Sequence, residues 1–111
     1  MHTVSDPATL EVMKAEGAVF ILFGSKHCEV CQVLRPRLST KLEKDFPFLR
    51  ACYIDCEKSP DICAQHEVFS LPAVKVYIEG KLITEDARAF SLGDLMQRVA
   101  RSYTLWASQR K

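Results

Sequence analysis

The apolar residues of the chain fall into short segments separated by prolines, glycines and capping residues. Ala18–Phe23 is continuously apolar and rich in β-branched and aromatic residues, as expected of a strand buried on both faces. Leu49–Asp55 and Ala73–Ile78 are predicted as two further strands. Glu79-Gly80-Lys81 then predicts a turn into a fourth strand at Leu82–Glu85.

Helices are predicted between these strands, where a capping residue or proline precedes apolar residues at helical spacing. They run from Asp6-Pro7 to a stop at Gly17, from near Cys28 to before Phe46-Pro47, from Ser59-Pro60 to about Glu67, and from Ser91 through Tyr103 toward Trp106. The second helix carries the apolar stripe Cys31, Leu34, Leu38 and Leu42.

The order of elements is α-β-α-β-α-β-β-α. The β-α-β units predict parallel strands with right-handed connections, and the late hairpin predicts an antiparallel edge. The fold class is therefore α/β, with a central mixed sheet of four to five strands flanked by helices. The 111 residues are enough for one domain, 1–111.

The charge balance narrows the possible partners. Fifteen basic and fourteen acidic side chains leave a net charge of +1, which gives no electrostatic reason to expect nucleic acid or an anionic membrane as main partner. The longest apolar run, Ala18–Phe23, is far too short to span a bilayer, and the N-terminus lacks the pattern of a secretory signal. We expect a monomeric protein of the reducing cytoplasm, where cysteines more often serve chemistry than structure.

Cys28-Glu29-Val30-Cys31 stands where a buried strand leads into a helix. Unpaired N–H groups and the positive end of the helix dipole stabilise a thiolate there, and a lowered thiol pKa makes cysteine a nucleophile near neutral pH. Cysteines three residues apart share a helix face and can form a disulfide. Cys28 at the exposed tip is expected to attack a substrate disulfide, and Cys31 to resolve the mixed disulfide.

With this motif the chain resembles the thioredoxin family over nearly its whole length. Pro36 lies inside the second helix, where the family has a helix-kinking proline, and Leu71-Pro72 precedes a strand, where the family has a cis-proline facing the dithiol. The resemblance implies a thioredoxin-like fold. It also implies that main-chain groups at Leu71, beside Pro72, bind an extended substrate peptide.

The chain departs from the family pattern at several positions. Glu29-Val30 replaces the usual Gly-Pro, His27 replaces a tryptophan, and Leu22 replaces a buried acid thought to help deprotonate the resolving thiol. Lys26 and protonated His27 favour a thiolate at Cys28, whereas Glu29 opposes it. His27 has two interpretations: a group that tunes Cys28 or shuttles its proton, or an exposed loop histidine.

Three cysteines lie outside the motif. Cys52, within a central strand, is interpreted as a small buried hydrophobe. Cys56 and Cys63 could pair or act as a second redox switch, but we favour the interpretation that neither has a function. Cys28-x-x-Cys31 with Cys63-x-x-His66 also has the formal spacing of a zinc site, a less favoured alternative.

These observations predict a thiol–disulfide oxidoreductase acting on protein disulfides through Cys28 and Cys31. It would contribute to electron transport and redox homeostasis, need no bound cofactor, and be regenerated by a separate reductase or reductant. The main alternative is a redox-sensing or protein-binding module of the same fold without enzymatic activity.

Overall fold

The computed structural model describes residues 1–88 and 91–110. The elements in chain order are β1 (His2–Thr3), α1 (Pro7–Ala15), β2 (Ala18–Gly24), α2 (Glu29–Asp45), β3 (Leu49–Asp55), α3 (Pro60–Gln65), β4 (Ala73–Ile78), β5 (Lys81–Ala87) and α4 (Leu92–Ser108). All predicted elements are present. The structure adds β1, whose two residues are too few to give a sequence signal.

The five strands form one mixed sheet in the order β1-β3-β2-β4-β5. β3 runs parallel to β1 and β2, whereas β4 runs antiparallel to both β2 and β5. The expectation that the connection from β3 to β4 is a parallel crossover is therefore wrong. The six-residue α3 spans only about 9 Å, whereas returning along a seven-residue strand takes about 23 Å. Accordingly β4 starts at the edge where β2 and β3 end, with Ala73 opposite Phe23.

Each face of the sheet is covered by its own pair of helices. β2 alternates between the two faces, so that Phe20 and Leu22 pack with residues of α2 and α4, while Ile21 and Phe23 pack with residues of α1 and α3. All seven residues of β2 are buried, as the continuous apolar run predicts. In the described residues no helix is apolar and long enough to cross a membrane.

Side-chain caps account for where α1 and α4 begin, whereas Ser59 before α3 makes no side-chain capping hydrogen bond. The Asp6 carboxylate accepts a hydrogen bond from the Thr9 backbone N–H (3.0 Å), and the Ser91 hydroxyl accepts one from Asp94 N–H (3.2 Å). Gly17 follows α1 at φ +73°, a conformation that glycine adopts without strain. The predicted capping signals are thus realised at α1 and α4.

His66 lies buried at the end of α3, against the Phe23 ring. Its Nε2 is 2.9 Å from the Lys14 ammonium, which can only donate, so Nδ1–H is assigned as donor to the Ile62 carbonyl at 2.8 Å. Burial lowers the pKa of His66, with the Lys14 charge acting in the same direction and Glu11 opposing it. The ring is neutral in the folded protein at neutral pH.

We expect the free energy of unfolding to fall as the pH drops below about 6.5, the ordinary pKa of histidine. The unfolded chain binds a proton there more readily than the folded one, and the loss is complete below the lowered folded-state pKa. Urea unfolding between pH 5 and 7.5 measures the slope of the free energy of unfolding against pH. His66→Gln, which cannot titrate, should show a shallower slope, and equal slopes in both proteins would contradict the assignment.

Candidate active site

Cys28 and Cys31 form a disulfide at the start of α2, with 5.2 Å between their Cα atoms. Cys28 is the N-cap residue, and its Sγ accepts a hydrogen bond from the Cys31 backbone N–H at 3.2 Å. Cys28 is half-buried, whereas Cys31 is completely buried. The pair therefore has one accessible and one shielded sulfur, an arrangement compatible with the roles predicted for Cys28 and Cys31.

A short turn between β2 and α2 presents this pair. The Ser25 carbonyl accepts hydrogen bonds from the Cys28 backbone N–H (3.2 Å) and from Nε2 of Gln32 (2.9 Å). Ser25 itself is buried. Both hydrogen bonds tie the turn to the beginning of α2, which fixes Cys28 close to the end of β2.

Gly24, the last residue of β2, packs directly against the buried cysteine. A Cβ atom on Gly24 would lie 2.9 Å from the Tyr53 hydroxyl oxygen, 3.0 Å from Cys31 Cβ and 3.1 Å from Cys31 Sγ. The Tyr53 hydroxyl and the Cys31 sulfur therefore converge on one point. Burial raises the pKa of Tyr53, so its hydroxyl keeps its proton near neutral pH. Sequence reasoning missed Tyr53, because only the pairing of β2 with β3 brings it beside Cys31.

We expect Gly24→Ala to lower the free energy of unfolding by about 1–3 kcal/mol, because overpacking a filled site forces its neighbours apart. It should also hinder closure of the Cys28–Cys31 disulfide, since two of the clashing atoms belong to Cys31. Chemical denaturation and thiol counting measure the two effects. Gly93→Ala is the matched control, since its Cβ would meet nothing closer than 3.9 Å. Equal stability of the two variants would contradict the packing argument.

Leu71 and Pro72 lie at the same edge of the sheet as the disulfide. The Leu71-Pro72 peptide bond is cis, Pro72 is buried, and Leu71 is half-buried. Ala73, the next residue, pairs with Phe23 near the end of β2. Two apolar side chains that are close to these residues in the sequence are exposed: Phe69, two positions before Leu71, is 84% exposed, and Val30, between the two cysteines, is 60% exposed.

The charged residues around Cys28 lie on the surface. Lys26, His27 and Glu29 are all exposed. His27 Nδ1 lies 2.6 Å from the carboxylate of Glu57, and this hydrogen bond lowers the pKa of Glu57. Sequence reasoning did not identify Glu57. It lies in the turn after β3, and the parallel pairing of β2 with β3 brings that turn beside His27.

The other three cysteines divide into a thiol and a second disulfide. Cys52 is completely buried, which confirms its interpretation as a core residue, and desolvation raises its thiol pKa to about 12. Cys56 and Cys63 form a disulfide with 5.8 Å between Cα atoms. Of the alternatives that the sequence left open, the structure shows pairing, because the turn after β3 brings Cys56 next to Cys63 on α3.

The geometry gives no support to the zinc alternative. Cys28, Cys31 and Cys63 are all in disulfides, and both ring nitrogens of His66 are occupied by Lys14 and the Ile62 carbonyl. Across residues 1–88 and 91–110 there is no cluster of three or more histidine, cysteine or acidic side chains suited to a metal ion.

Leu22 occupies the position of the family's buried acid. It is completely buried and packs in the apolar cluster that also contains Phe20, Leu38 and Tyr53. In a β-strand alternate residues share a face, so Leu22 lies on the same face of β2 as the Gly24 position that contacts Cys31. Leu22 therefore places an apolar side chain, and no acid, on the face of β2 that carries the contact between Gly24 and Cys31.

Comparison with known proteins agrees with this geometry. The family model described as Thioredoxin matches residues 3–101. The chain is 28% identical over 98 residues to a thioredoxin of Acetoanaerobium sticklandii, covering 84% of this chain and 92% of the relative. It is 26% identical over 90 residues to the thioredoxin-like protein YdfQ of Bacillus subtilis, covering 81% of this chain and 80% of that protein.

The fold is likewise that of solved thioredoxins. The structure of Fasciola hepatica thioredoxin superposes with a TM-score of 0.81 at 17% identity, over 91% of this chain and 98% of the other. This likeness confirms the expected α/β fold with a mixed sheet flanked by helices. With its Cys28-x-x-Cys31 disulfide at the start of α2, the chain belongs to the thioredoxin family.

Proposed function

We propose that this protein is a thiol–disulfide oxidoreductase that acts on protein disulfides through Cys28 and Cys31. The observation that carries the proposal is the disulfide at the start of α2, with a half-buried Cys28 and a completely buried Cys31. An incoming thiolate or disulfide reaches only one of the two sulfurs. The other is held within bonding distance to complete the exchange.

The proposed reaction begins with the reduced pair. The Cys28 thiolate attacks one sulfur of a substrate disulfide, forms a mixed disulfide and releases the first substrate thiolate, which takes up a proton. Cys31 then loses its proton and attacks Cys28 Sγ. The second substrate thiolate leaves, and Cys28–Cys31 ends oxidised while the substrate has gained two electrons and two protons. No bound cofactor is needed, and a separate reductase or reductant restores the dithiol.

Two features of α2 support the first step. The backbone N–H of Cys31 already points at Cys28 Sγ from 3.2 Å, so a thiolate at Cys28 would accept this hydrogen bond. The positive end of the helix dipole acts in the same direction. Among the flanking charges, Lys26 favours the thiolate and Glu29 opposes it. His27 lies within hydrogen-bonding distance of the Glu57 carboxylate. We propose these three side chains as tuning groups of Cys28.

We propose that the substrate binds as an extended peptide along Leu71 and Pro72. Main-chain pairing of this kind adds a strand without selecting a particular side chain, which suits a protein with several substrates. The exposed apolar residues Phe69 and Val30 offer contact area on either side. The net charge of +1 agrees with recognition through apolar and main-chain contacts. We further propose a monomer that works in the cytoplasm.

Trapping with a resolving-cysteine variant tests the proposal. In Cys31→Ser the mixed disulfide on Cys28 cannot be resolved, so substrate proteins should remain attached and be released by a reducing agent. Cys28→Ser is the matched control, which lacks the attacking sulfur and should trap nothing. Non-reducing electrophoresis followed by mass mapping of the linked cysteine measures the result.

The same experiment addresses the non-enzymatic alternative. A redox-sensing or binding module would oxidise and reduce its Cys28–Cys31 pair without turning over a protein disulfide. Absence of an adduct in Cys31→Ser, together with absence of disulfide reduction by the parent protein, would overturn the proposed function in favour of that module. The buried Leu22 keeps this alternative relevant, because no acid stands at that position to assist Cys31.

A further inference from the structure

The second disulfide lies beside the candidate active site. Cys56 directly follows β3, and its backbone N–H donates to the Gly24 carbonyl at 2.8 Å, at the end of the strand that leads to Cys28. Cys63 lies on α3 and is joined to Cys56 across seven positions of the sequence. Both disulfides are therefore attached to the edge of the sheet where β2 and β3 end.

Cys56 and Cys63 differ in exposure in the same sense as the first pair. Cys56 is half-buried, whereas Cys63 is only 4% exposed. A thiolate from solvent therefore reaches Cys56 Sγ more easily than Cys63 Sγ. Once the bond opens, Cys63 stays close to its partner because α3 packs on the sheet through buried Ile62. This combination of an accessible and a shielded sulfur is suited to reversible exchange.

Hydrogen bonds hold the segment between the two cysteines independently of their bond. The Asp55 carbonyl accepts from Ser59 N–H at 2.8 Å, and the Asp55 carboxylate accepts from Glu57 N–H at 2.9 Å. The Ser59 carbonyl in turn accepts from Cys63 N–H at 3.4 Å. A disulfide across so short a loop constrains the unfolded chain least. The pair can therefore open while the fold persists.

Both cysteines are connected to the candidate active site, Cys56 through its neighbour in the sequence and Cys63 through a backbone hydrogen bond. Glu57, which follows Cys56, pairs with His27 at 2.6 Å. The Cys63 carbonyl accepts from Val68 N–H at 2.8 Å, and Val68 begins the segment that leads to Leu71. A protein bound at Cys28 and Leu71 would thus also lie close to this turn and to the half-buried Cys56.

We propose that Cys56 and Cys63 form a second redox-active pair, in which Cys56 Sγ exchanges with dithiols while the protein stays folded. The thiolate of a dithiol attacks Cys56 Sγ and forms a mixed disulfide, and Cys63 leaves as a thiolate and takes up a proton. The second thiol of the dithiol loses its proton and attacks the sulfur of the dithiol that is bound to Cys56. Cys56 is released and protonated. Two electrons and two protons pass to the protein, and the dithiol becomes a disulfide.

Alkylation of the wild-type protein at increasing ratios of reduced to oxidised dithiothreitol tests this proposal, with mass mapping of each cysteine. We expect Cys56 and Cys63 to become alkylated together while tryptophan fluorescence and near-ultraviolet circular dichroism remain native. The buried Cys52 reports unfolding, because its thiol is shielded and its pKa is raised to about 12. It should stay unmodified until denaturant is added.

Two outcomes would overturn the proposal. One is alkylation of Cys56 and Cys63 only when Cys52 is alkylated as well, since exchange would then require unfolding. The other is alkylation of both before any dithiothreitol is added. Because the deciding signals are the alkylation of Cys56, Cys63 and Cys52, a negative result leaves the proposed function of Cys28 and Cys31 unaffected.

A pair of single variants tests which sulfur is the entry point, with glutathione disulfide as the probe. In Cys63→Ala the remaining Cys56 should form a mixed disulfide at least about tenfold faster than Cys63 does in Cys56→Ala, because exposure controls access to a thiol. Equal or reversed rates would contradict the assignment of Cys56 as the exchanging sulfur.

Discussion

Cys28→Ser is expected to lower the rate of protein disulfide reduction by about a thousandfold or more, to the uncatalysed level, because it removes the sulfur proposed to attack the substrate. A serine hydroxyl has no appreciable population of its anion near neutral pH, and the buried Cys31 cannot take over. Reduction of a protein disulfide with dithiothreitol as electron source measures the change.

The substitution Cys28→Ser should remove the activity without changing the fold. Serine is a favourable N-cap, so α2 should still begin at Glu29, and circular dichroism should match that of the wild type. Thr40→Ala, an exposed change further along α2, is the control and should leave the rate unchanged. Appreciable reductase activity in Cys28→Ser would show that another sulfur attacks the substrate, with the half-buried Cys56 the first to examine.

Leu22→Asp is expected to lower the free energy of unfolding by about 3–5 kcal/mol at neutral pH, because it removes apolar packing and places a carboxyl group in an apolar cluster. Leu22 is completely buried on the face of the sheet that α2 and α4 cover, in the same apolar cluster as Phe20, Val74 and Val76. Burial should raise the pKa of the introduced acid. The deficit in stability should therefore grow as the pH rises above about 4, since the unfolded chain loses that proton first.

Urea denaturation of Leu22→Asp at pH 4 and pH 7 measures both the size and the sign of this effect. Leu22→Met, which keeps the volume and the apolar character, should cost less than about 1.5 kcal/mol at either pH. A deficit in Leu22→Asp that is small, or that shrinks as the pH rises, would show that the site already holds a partner for a carboxylate. The site would then be able to accommodate a buried acid, as the family pattern has at this position.

The elements of this fold were predictable from the chain because their signals are local. The apolar run Ala18–Phe23 predicts a doubly buried strand, and the caps at Asp6 and Ser91 predict helix starts that the structure confirms. The direction of β4 was not predictable in this way. It depends on whether the chain after β3 travels back along the sheet, and the short α3 leaves β4 starting at the near edge.

The candidate site likewise contains contacts that local spacing predicts and contacts that depend on the pairing of distant strands. Cys28 and Cys31 are separated by one helical turn, so their spacing alone brings them together, and the disulfide between them follows. The contacts of His27 with Glu57 and of Gly24 with Tyr53 join residues about thirty positions apart. They exist because β2 and β3 lie side by side in parallel register, which no local pattern encodes.

By itself, therefore, the sequence determined the helices, the strands other than β1 and the pair of cysteines on one helical turn, all through interactions between near neighbours in the chain. It also carried the family resemblance. Only the tertiary structure decided that Cys56 bonds to Cys63, that Glu57 holds His27, and that Tyr53 and Cys31 meet at Gly24. Those contacts depend on which strand ends meet at one edge of the sheet. That is settled by the packing of the whole chain and not by the preferences of any single segment.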